Sequence, residues 1–181
     1  MGKYSYLDRR YCKKSDAPTL LQAVVFVILL GGVVATHFGF HFNYENRIGG
    51  YLKRAADANT IAIAEEQLKT ALKNMDASGL DKGSSHIFFA MPSTDIGFWH
   101  NNLKTSLEEL QGLSKDASAL EKSNMLIKLR ETILDHSKDG DEVTAPDNIS
   151  IFPYQKPLFL LDAIVALFGT VLLVYSIKNN V

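Results

Sequence analysis

The chain has 181 residues, of which 46% are apolar, and its 19 basic and 20 acidic residues give a formal net charge of −1. This length is typical of one domain, and the balanced charge excludes a strongly basic nucleic-acid-binding protein. The apolar residues are concentrated in two runs separated by an ordinary polar segment, a distribution that a plain soluble globule does not show. We therefore expect a membrane protein that binds no nucleic acid.

Two apolar runs are long enough to cross a bilayer as helices. Residues 19–39 contain no Asp, Glu, Lys or Arg, and residues 158–177 contain one acid, Asp162. A bilayer core about 30 Å thick needs roughly 20 apolar residues at a rise of about 1.5 Å per residue. We expect two transmembrane helices. The less favoured alternatives are a cleavable signal peptide, whose apolar core is usually shorter, and a buried hairpin of a soluble protein.

The charges that flank the two runs predict their orientation. Residues 1–18 carry five basic and two acidic residues, and residues 178–181 add one Lys. Positive charge is retained on the cytoplasmic side, so both tails are expected in the cytoplasm. Residues 40–157 contain 13 basic and 17 acidic residues, a net charge of −4. This segment would lie outside the cytoplasm, in the periplasm if the source is bacterial and the membrane is its inner membrane.

The polar segment begins with helical patterns. The first helix can continue beyond its apolar run, although Gly49 and Gly50 would weaken or kink it. Over residues 59–78 apolar residues recur at spacings of three and four, which predicts an amphipathic helix. Asn59 is its expected N-cap and Gly79 its expected stop.

Two more helices are predicted after an irregular apolar stretch at residues 80–92. One opens at Ser93 or Thr94 together with Asp95 and closes near Gly112. The other opens with a capping box, Ser118 with Glu121, and runs to about residue 136. Its expected inward residues are Leu120, Leu126, Ile127, Leu129, Ile133 and Leu134. A solvated turn at residues 139–142 and an extended return over residues 143–157 complete the segment.

The predicted fold class is therefore all-α. Two transmembrane helices bracket a compact extracytoplasmic domain of three to four helices arranged as helical hairpins. The expected divisions are a cytoplasmic tail (1–18), the first span (19–39), the helical domain (40–157), the second span (158–177) and a short cytoplasmic tail (178–181).

The sequence contains no Gly-rich phosphate loop, nucleophile elbow, zinc-binding Cys/His pattern or dinucleotide fingerprint. We therefore expect neither enzymatic activity nor a cofactor. His37 and His41 lie four residues apart, so a helix would place both on one face, where they could supply two metal ligands. A site with two ligands is incomplete, and amphipathic side chains at a membrane boundary explain both histidines without a metal.

Asp162 is the one acid within an apolar run, and a carboxylate at that depth indicates either function or pairing. If the two runs pack antiparallel, His37 or Thr36 lies at a similar depth. We therefore predict a hydrogen bond between Asp162 and His37 that fastens the outer mouth of the helix pair. Exposure to the interface and handling of protons or ions are the alternatives.

Small residues spaced four apart occur on both runs. Gly31 with Ala35, and Ala166 with Thr170, form small-xxx-small pairs that permit close helix packing. These pairs could serve packing within the chain or assembly of an oligomer.

An aromatic cluster in the polar segment is the expected contact surface for a partner. Trp, Phe and Met are favoured at the centres of protein interfaces, although the same residues could simply form the domain core. The cluster comprises His86, Phe88, Phe89, Met91, Trp99 and His100.

These patterns favour a non-enzymatic two-span membrane protein. We expect it to bind a protein partner, or to form a homo-oligomer, as an accessory or assembly subunit that acts through its helical domain. The alternative is an extracytoplasmic ligand-sensing domain that signals through a separate partner protein.

Overall fold

The computed structural model describes residues 17–137 and 140–180. The predicted basic tail lies almost entirely outside these residues, as does residue 181. Short 3-10 turns at Pro92–Thr94 and Ile149–Ile151 connect some of the elements. The helices are α1 (Ala17–Tyr44), α2 (Gly50–Ala56), α3 (Ile61–Ala77), α4 (Ile96–Gly112), α5 (Ala119–Ile133) and α6 (Gln155–Asn180), and the strands are β1 (Leu134–Ser137) and β2 (Gly140–Val143).

Two helices are long and apolar enough to cross a membrane. The first is continuous over Leu21–Ala56, because the π-helical turn Glu45–Gly49 joins α1 to α2. The second is Gln155–Tyr175 within α6. Their most apolar stretches are 0% and 11% buried, so neither is the core helix of a soluble fold. Two such helices indicate membrane association, whereas the side on which each end lies stays a prediction.

The helices α1 and α6 pack against each other along one face each. Phe26 on α1 lies directly over Gly169 on α6, where an added Cβ would come within 2.5 Å of the aromatic ring. Val165, one turn earlier on α6, is buried in the same contact region. A bulky ring set against a glycine therefore determines how closely the two helices approach.

The small residues predicted to mediate this packing lie elsewhere. Gly31 has no atom within 4 Å of the position that its Cβ would occupy. The other three residues are exposed, namely Ala35, Ala166 and Thr170. Packing within the chain was one of the two predicted roles for these pairs, and the contact between α1 and α6 described above instead involves Phe26 and Gly169. Because these small residues are exposed, assembly with another chain remains a prediction for them.

The core of the polar domain lies between α2, α3, α4 and α5. The amphipathic pattern of α3 is confirmed, because Ala64, Leu68, Ala71 and Met75 are all fully buried. Its N-cap is Thr60 rather than Asn59, and the Thr60 hydroxyl accepts a hydrogen bond from the Ile63 N–H at 3.3 Å.

The starts of α4 and α5 lie close to where the sequence predicts them, whereas α5 ends at Ile133 rather than near residue 136. Asp95 caps α4 by accepting the Phe98 N–H at 3.0 Å. In the capping box of α5, the Glu121 N–H donates to the Ser118 hydroxyl at 3.2 Å and the Ser118 N–H donates to the Glu121 carboxylate at 2.7 Å. These caps satisfy N–H groups that have no partner within the helix.

The strands β1 (Leu134–Ser137) and β2 (Gly140–Val143) pair antiparallel as a β-hairpin, so the expected all-α fold needs correction here. The sequence predicted the end of a helix followed by a solvated turn. The Thr144 N–H donates to the Ile133 carbonyl at 2.7 Å, and the Trp99 indole N–H donates to the Thr144 carbonyl at 2.6 Å. These bonds connect the hairpin to α4, and a local helical pattern cannot reveal them.

Two residues of α5 that were expected to face inward are exposed. Leu120 is 70% exposed and Ile127 is 52% exposed, whereas Leu129 and Ile133 are buried as predicted. Leu129 and Ile133 lie four residues apart on the face of α5 that meets the core, whereas Leu120 and Ile127 lie on a different face.

Replacing Gly169 by Leu should destabilise the pairing of α1 and α6. The added side chain meets the Phe26 ring, and overpacking of this kind costs about 1–3 kcal/mol. The matched control is Gly31→Leu, which adds the same side chain to open space on α1. The free energy of unfolding in detergent micelles measures both effects, and equal values for the two variants would contradict this packing.

The capping box should make the stability of the domain depend on pH. The hydrogen bond from the Ser118 N–H, and then that from the Ser118 side chain, hold the pKa of Glu121 below its ordinary value. A carboxyl whose pKa is lowered by folding stabilises the protein above its unfolded pKa, and this contribution is lost as the pH falls through the lowered pKa. Glu121→Gln should therefore lower the melting temperature at pH 7, and the difference from the parent protein should shrink towards about pH 3. Glu131→Gln, at an exposed position of the same helix, is the control.

Candidate functional site

The site lies where α1 and α6 meet the polar domain. His37 Nε2 on α1 is 3.1 Å from Asp162 Oδ2 on α6. With the proton on Nε2, the imidazole donates this hydrogen bond to the carboxylate. The two side chains are 39% and 38% exposed, so the bond lies at an open edge of the helix pair. The structure thus places the histidine of the first apolar run beside the acid of the second.

The irregular segment between α3 and α4 lies beside α1 and α6 and forms the third side of the site. The Ser85 N–H donates to the Thr94 carbonyl at 3.0 Å, which closes the segment into a loop. The Gln155 side-chain amide, in the first turn of α6, donates to the Ser84 carbonyl at 3.2 Å. The loop is therefore fastened to α6 beside Asp162.

These elements enclose an open cavity of about 330 Å³, which we call the mouth pocket. This volume is at the lower end of the range for small-molecule sites. Its polar lining residues are His37, Ser85, His86, Asn148, Gln155 and Asp162, and its apolar lining residues are Ile87, Phe88, Ile151, Leu158 and Phe159.

Three polar atoms of the mouth pocket are buried without a hydrogen-bond partner among the described residues. They are His86 Nδ1, Gln155 Oε1 and Asp162 Oδ1. Buried polar groups in folded proteins are nearly always hydrogen-bonded, because leaving one unpaired costs about 1–3 kcal/mol. The three residues that carry these atoms all line the mouth pocket, which makes them the candidates for contact with a polar molecule held there.

The chemistry of these atoms defines what the pocket can accept. Gln155 Oε1 and an ionised Asp162 can only accept hydrogen bonds, so they require a donor such as a hydroxyl or an amine. His86 Nδ1 can donate or accept, according to its tautomer. The side chains of Leu158 and Phe159 form apolar walls that suit an apolar portion of a ligand. The arrangement fits a small amphiphile with a hydrogen-bond-donating head.

The predicted aromatic cluster does not form one surface. Phe88 lines the mouth pocket, whereas Phe89 and Met91 are exposed to 70% and 43%. Trp99 and His100 are buried in the core. The Trp99 indole is bonded to the hairpin, and His100 Nε2 lies 2.9 Å from Asp76 Oδ1. The loop and the core thus divide the cluster between them, which corrects the expected partner surface.

The two histidines considered as metal ligands have different surroundings. His37 is bonded to Asp162, and His41 is exposed. Among the described residues, no group of three or more His, Cys, Asp or Glu side chains is placed to hold a metal ion. The structure therefore adds no further ligand to the incomplete pair.

Sequence reasoning missed Gln155, Asn148 and Ser85 as lining residues of the pocket. Gln155 is only 5% exposed, although it directly precedes an apolar run and has no motif around it. The one sequence signal that indicates a role for Gln155 is its position at the start of an apolar helix, because an amide that becomes buried there requires a hydrogen-bond partner. Its partner, Ser84, is 71 positions away and could not be read from the sequence.

Comparison with known proteins finds no family, no curated protein and no solved structure that matches this chain. The function of the mouth pocket is therefore argued from its own residues.

A double-mutant cycle tests whether His37 and Asp162 stabilise each other. We expect His37→Ala and Asp162→Asn to lower the free energy of unfolding, with a coupling of about 1 kcal/mol, typical of one hydrogen bond. Additive effects in the double variant would show that the contact contributes nothing. Helix insertion should be unchanged in all three variants, as judged by extraction with the membrane fraction.

Proposed function

We propose that this protein is a two-span membrane protein whose helical domain is a non-enzymatic binding module. In this proposal the helices α1 and α6 span the membrane and the domain lies outside the cytoplasm. Its ligand is a small amphiphile held in the mouth pocket, so the module serves ligand sensing or capture and passes the signal to a separate partner. The observation that supports this proposal most directly is that three residues lining one open cavity each carry a buried polar atom with no hydrogen-bond partner among the described residues.

The position of the pocket supports an amphiphilic ligand rather than a fully water-soluble one. Its floor is the first turns of α6, at the start of the predicted span, and its rim includes His37 near the end of the other span. An amphiphile that partitions into the boundary of a bilayer reaches such an opening by lateral diffusion. Its apolar portion can stay against Phe159 while its head enters the pocket.

A second candidate function is that of an accessory subunit in a larger membrane assembly. The observation that favours it is an apolar face on α5, where Leu120 and Ile127 are both largely exposed. They lie seven residues apart, which is two helical turns, so they share one side of the helix. Exposed apolar pairs of this kind are typical of surfaces that a protein partner covers.

The binding proposal predicts that the protein retains one class of small molecule during mild detergent extraction. Mass spectrometry of the extracted protein should detect an amphiphile with a hydroxyl or amine head. His86→Leu should retain clearly less, because the substitution removes a pocket atom that has no partner among the described residues. Leu120→Ala, outside the pocket, is the control and should retain as much as the parent protein.

Equal retention by His86→Leu and the parent protein would contradict the assignment of the mouth pocket. The accessory-subunit candidate predicts a different result in the same preparation. A protein of defined identity would then co-purify with the chain, and it should be lost from Leu120→Glu and kept by His86→Leu.

A further inference from the structure

The loop between α3 and α4 exposes a concentration of large apolar side chains. We call residues 86–91 the apolar loop. Phe88 is 62% exposed, Phe89 is 70% exposed and Met91 is 43% exposed. Phe98, in the first turn of α4, adds a fourth side chain that is 64% exposed. Apolar patches of this density rarely face water alone on a soluble surface.

The apolar loop is continuous with the outward surface of α6. The rings of Phe88 and Phe159 meet edge to face, with their centroids 5.3 Å apart. Phe159 is itself 49% exposed and lies at the start of the predicted second span. The patch therefore begins where the apolar surface of α6 begins, and on the same side of the molecule.

The lack of charge in this segment suits contact with the acyl chains of the bilayer that the neighbouring α6 surface is proposed to meet. Residues 85–93 contain no Asp, Glu, Lys or Arg, and the nearest charged residues are Lys82 and Asp95. The loop backbone has irregular structure, and such backbone cannot enter the hydrocarbon core, where its N–H and C=O groups would lack partners. Phe and Met side chains can nevertheless reach the boundary between headgroups and acyl chains while the backbone stays among the headgroups.

We propose that the apolar loop inserts its Phe89 and Met91 side chains into the outer leaflet of the membrane that α1 and α6 span. The loop thereby forms a third, peripheral contact with the bilayer and keeps the mouth pocket at the lipid boundary. This inference rests on the membrane placement proposed above, but not on the pocket having a ligand.

The test uses the full-length protein in phosphatidylcholine nanodiscs, with Cys12→Ser as the background. Single cysteines are introduced by Phe89→Cys, Val34→Cys and Leu120→Cys and labelled with an environment-sensitive fluorophore. Val34 is 60% exposed on α1 and reports the span itself. Leu120 matches Phe89 in exposure, at 70%, but lies on α5, which packs against α2. Variants that melt at the parent temperature are compared.

A lipid that carries a spin label near the top of its acyl chain should quench the fluorophore at residues 34 and 89 and leave it unquenched at residue 120. Aqueous iodide should quench residue 120 and spare residue 89. Met91→Cys should behave as Phe89→Cys, which keeps the test valid if one of the two variants misfolds.

The remaining outcomes separate the two proposals. Quenching by the lipid label at residue 34 but not at residue 89 overturns the loop insertion alone. If iodide then reaches residue 89, the loop is in water; if neither quencher reaches it, a second copy of the chain or another protein covers the loop. Absence of lipid quenching at residue 34 overturns the membrane placement itself.

Discussion

The pairing of α1 with α6 is the constraint on which the rest of the molecule depends. Its outer end is the bond between His37 and Asp162, which are 125 positions apart. Further along the pair, Phe26 lies against Gly169. The chain between α1 and α6 starts and ends at this helix pair. The domain that it forms therefore folds back on itself next to the pair. The mouth pocket forms at that junction, where two helices and a loop converge without filling the space between them.

The continuity of the first helix connects this junction to the domain core. The π-helical turn Glu45–Gly49 lets the helix continue from α1 into α2, and Tyr44, Ile48 and Leu52 on it are buried in the core. A Cβ at Gly50 would lie 2.9 Å from the Glu45 carbonyl, so the turn suits a glycine there. Turns of this kind are frequent at functional sites.

The mouth pocket combines features that the sequence presents as unrelated. The bonded pair His37 and Asp162, two of the six residues of the aromatic cluster and Gln155 share a single cavity. Two residues that line the same cavity, Gln155 and Asp162, carry acceptor oxygens that favour a hydrogen-bond donor, while Phe88 and Phe159 supply an apolar wall. In the proposed function, hydrogen bonding and apolar surface favour the same kind of ligand, a small amphiphile. The proposed insertion of the apolar loop places the pocket at a lipid boundary.

Local patterns in the sequence were sufficient for the apolar helices, for the amphipathic face of α3 and for the caps at Asp95 and Ser118. Each of these depends on residues within one or two turns of each other, so periodicity and side-chain chemistry determine them. The depth of His37 and Asp162 in their runs was also enough to suggest that they lie close together.

Tertiary structure alone decided the hairpin at residues 134–143, the exposure of Leu120, the split of the aromatic cluster and the face on which α1 meets α6. Each of these outcomes is determined by a distant partner, such as Thr144 for Trp99 or Phe26 for Gly169. Small residues permit close packing wherever they occur on a helix, but only the complete set of contacts selects which face is used. The same reason explains the mouth pocket, because a cavity is a property of three separate segments and of none of them alone.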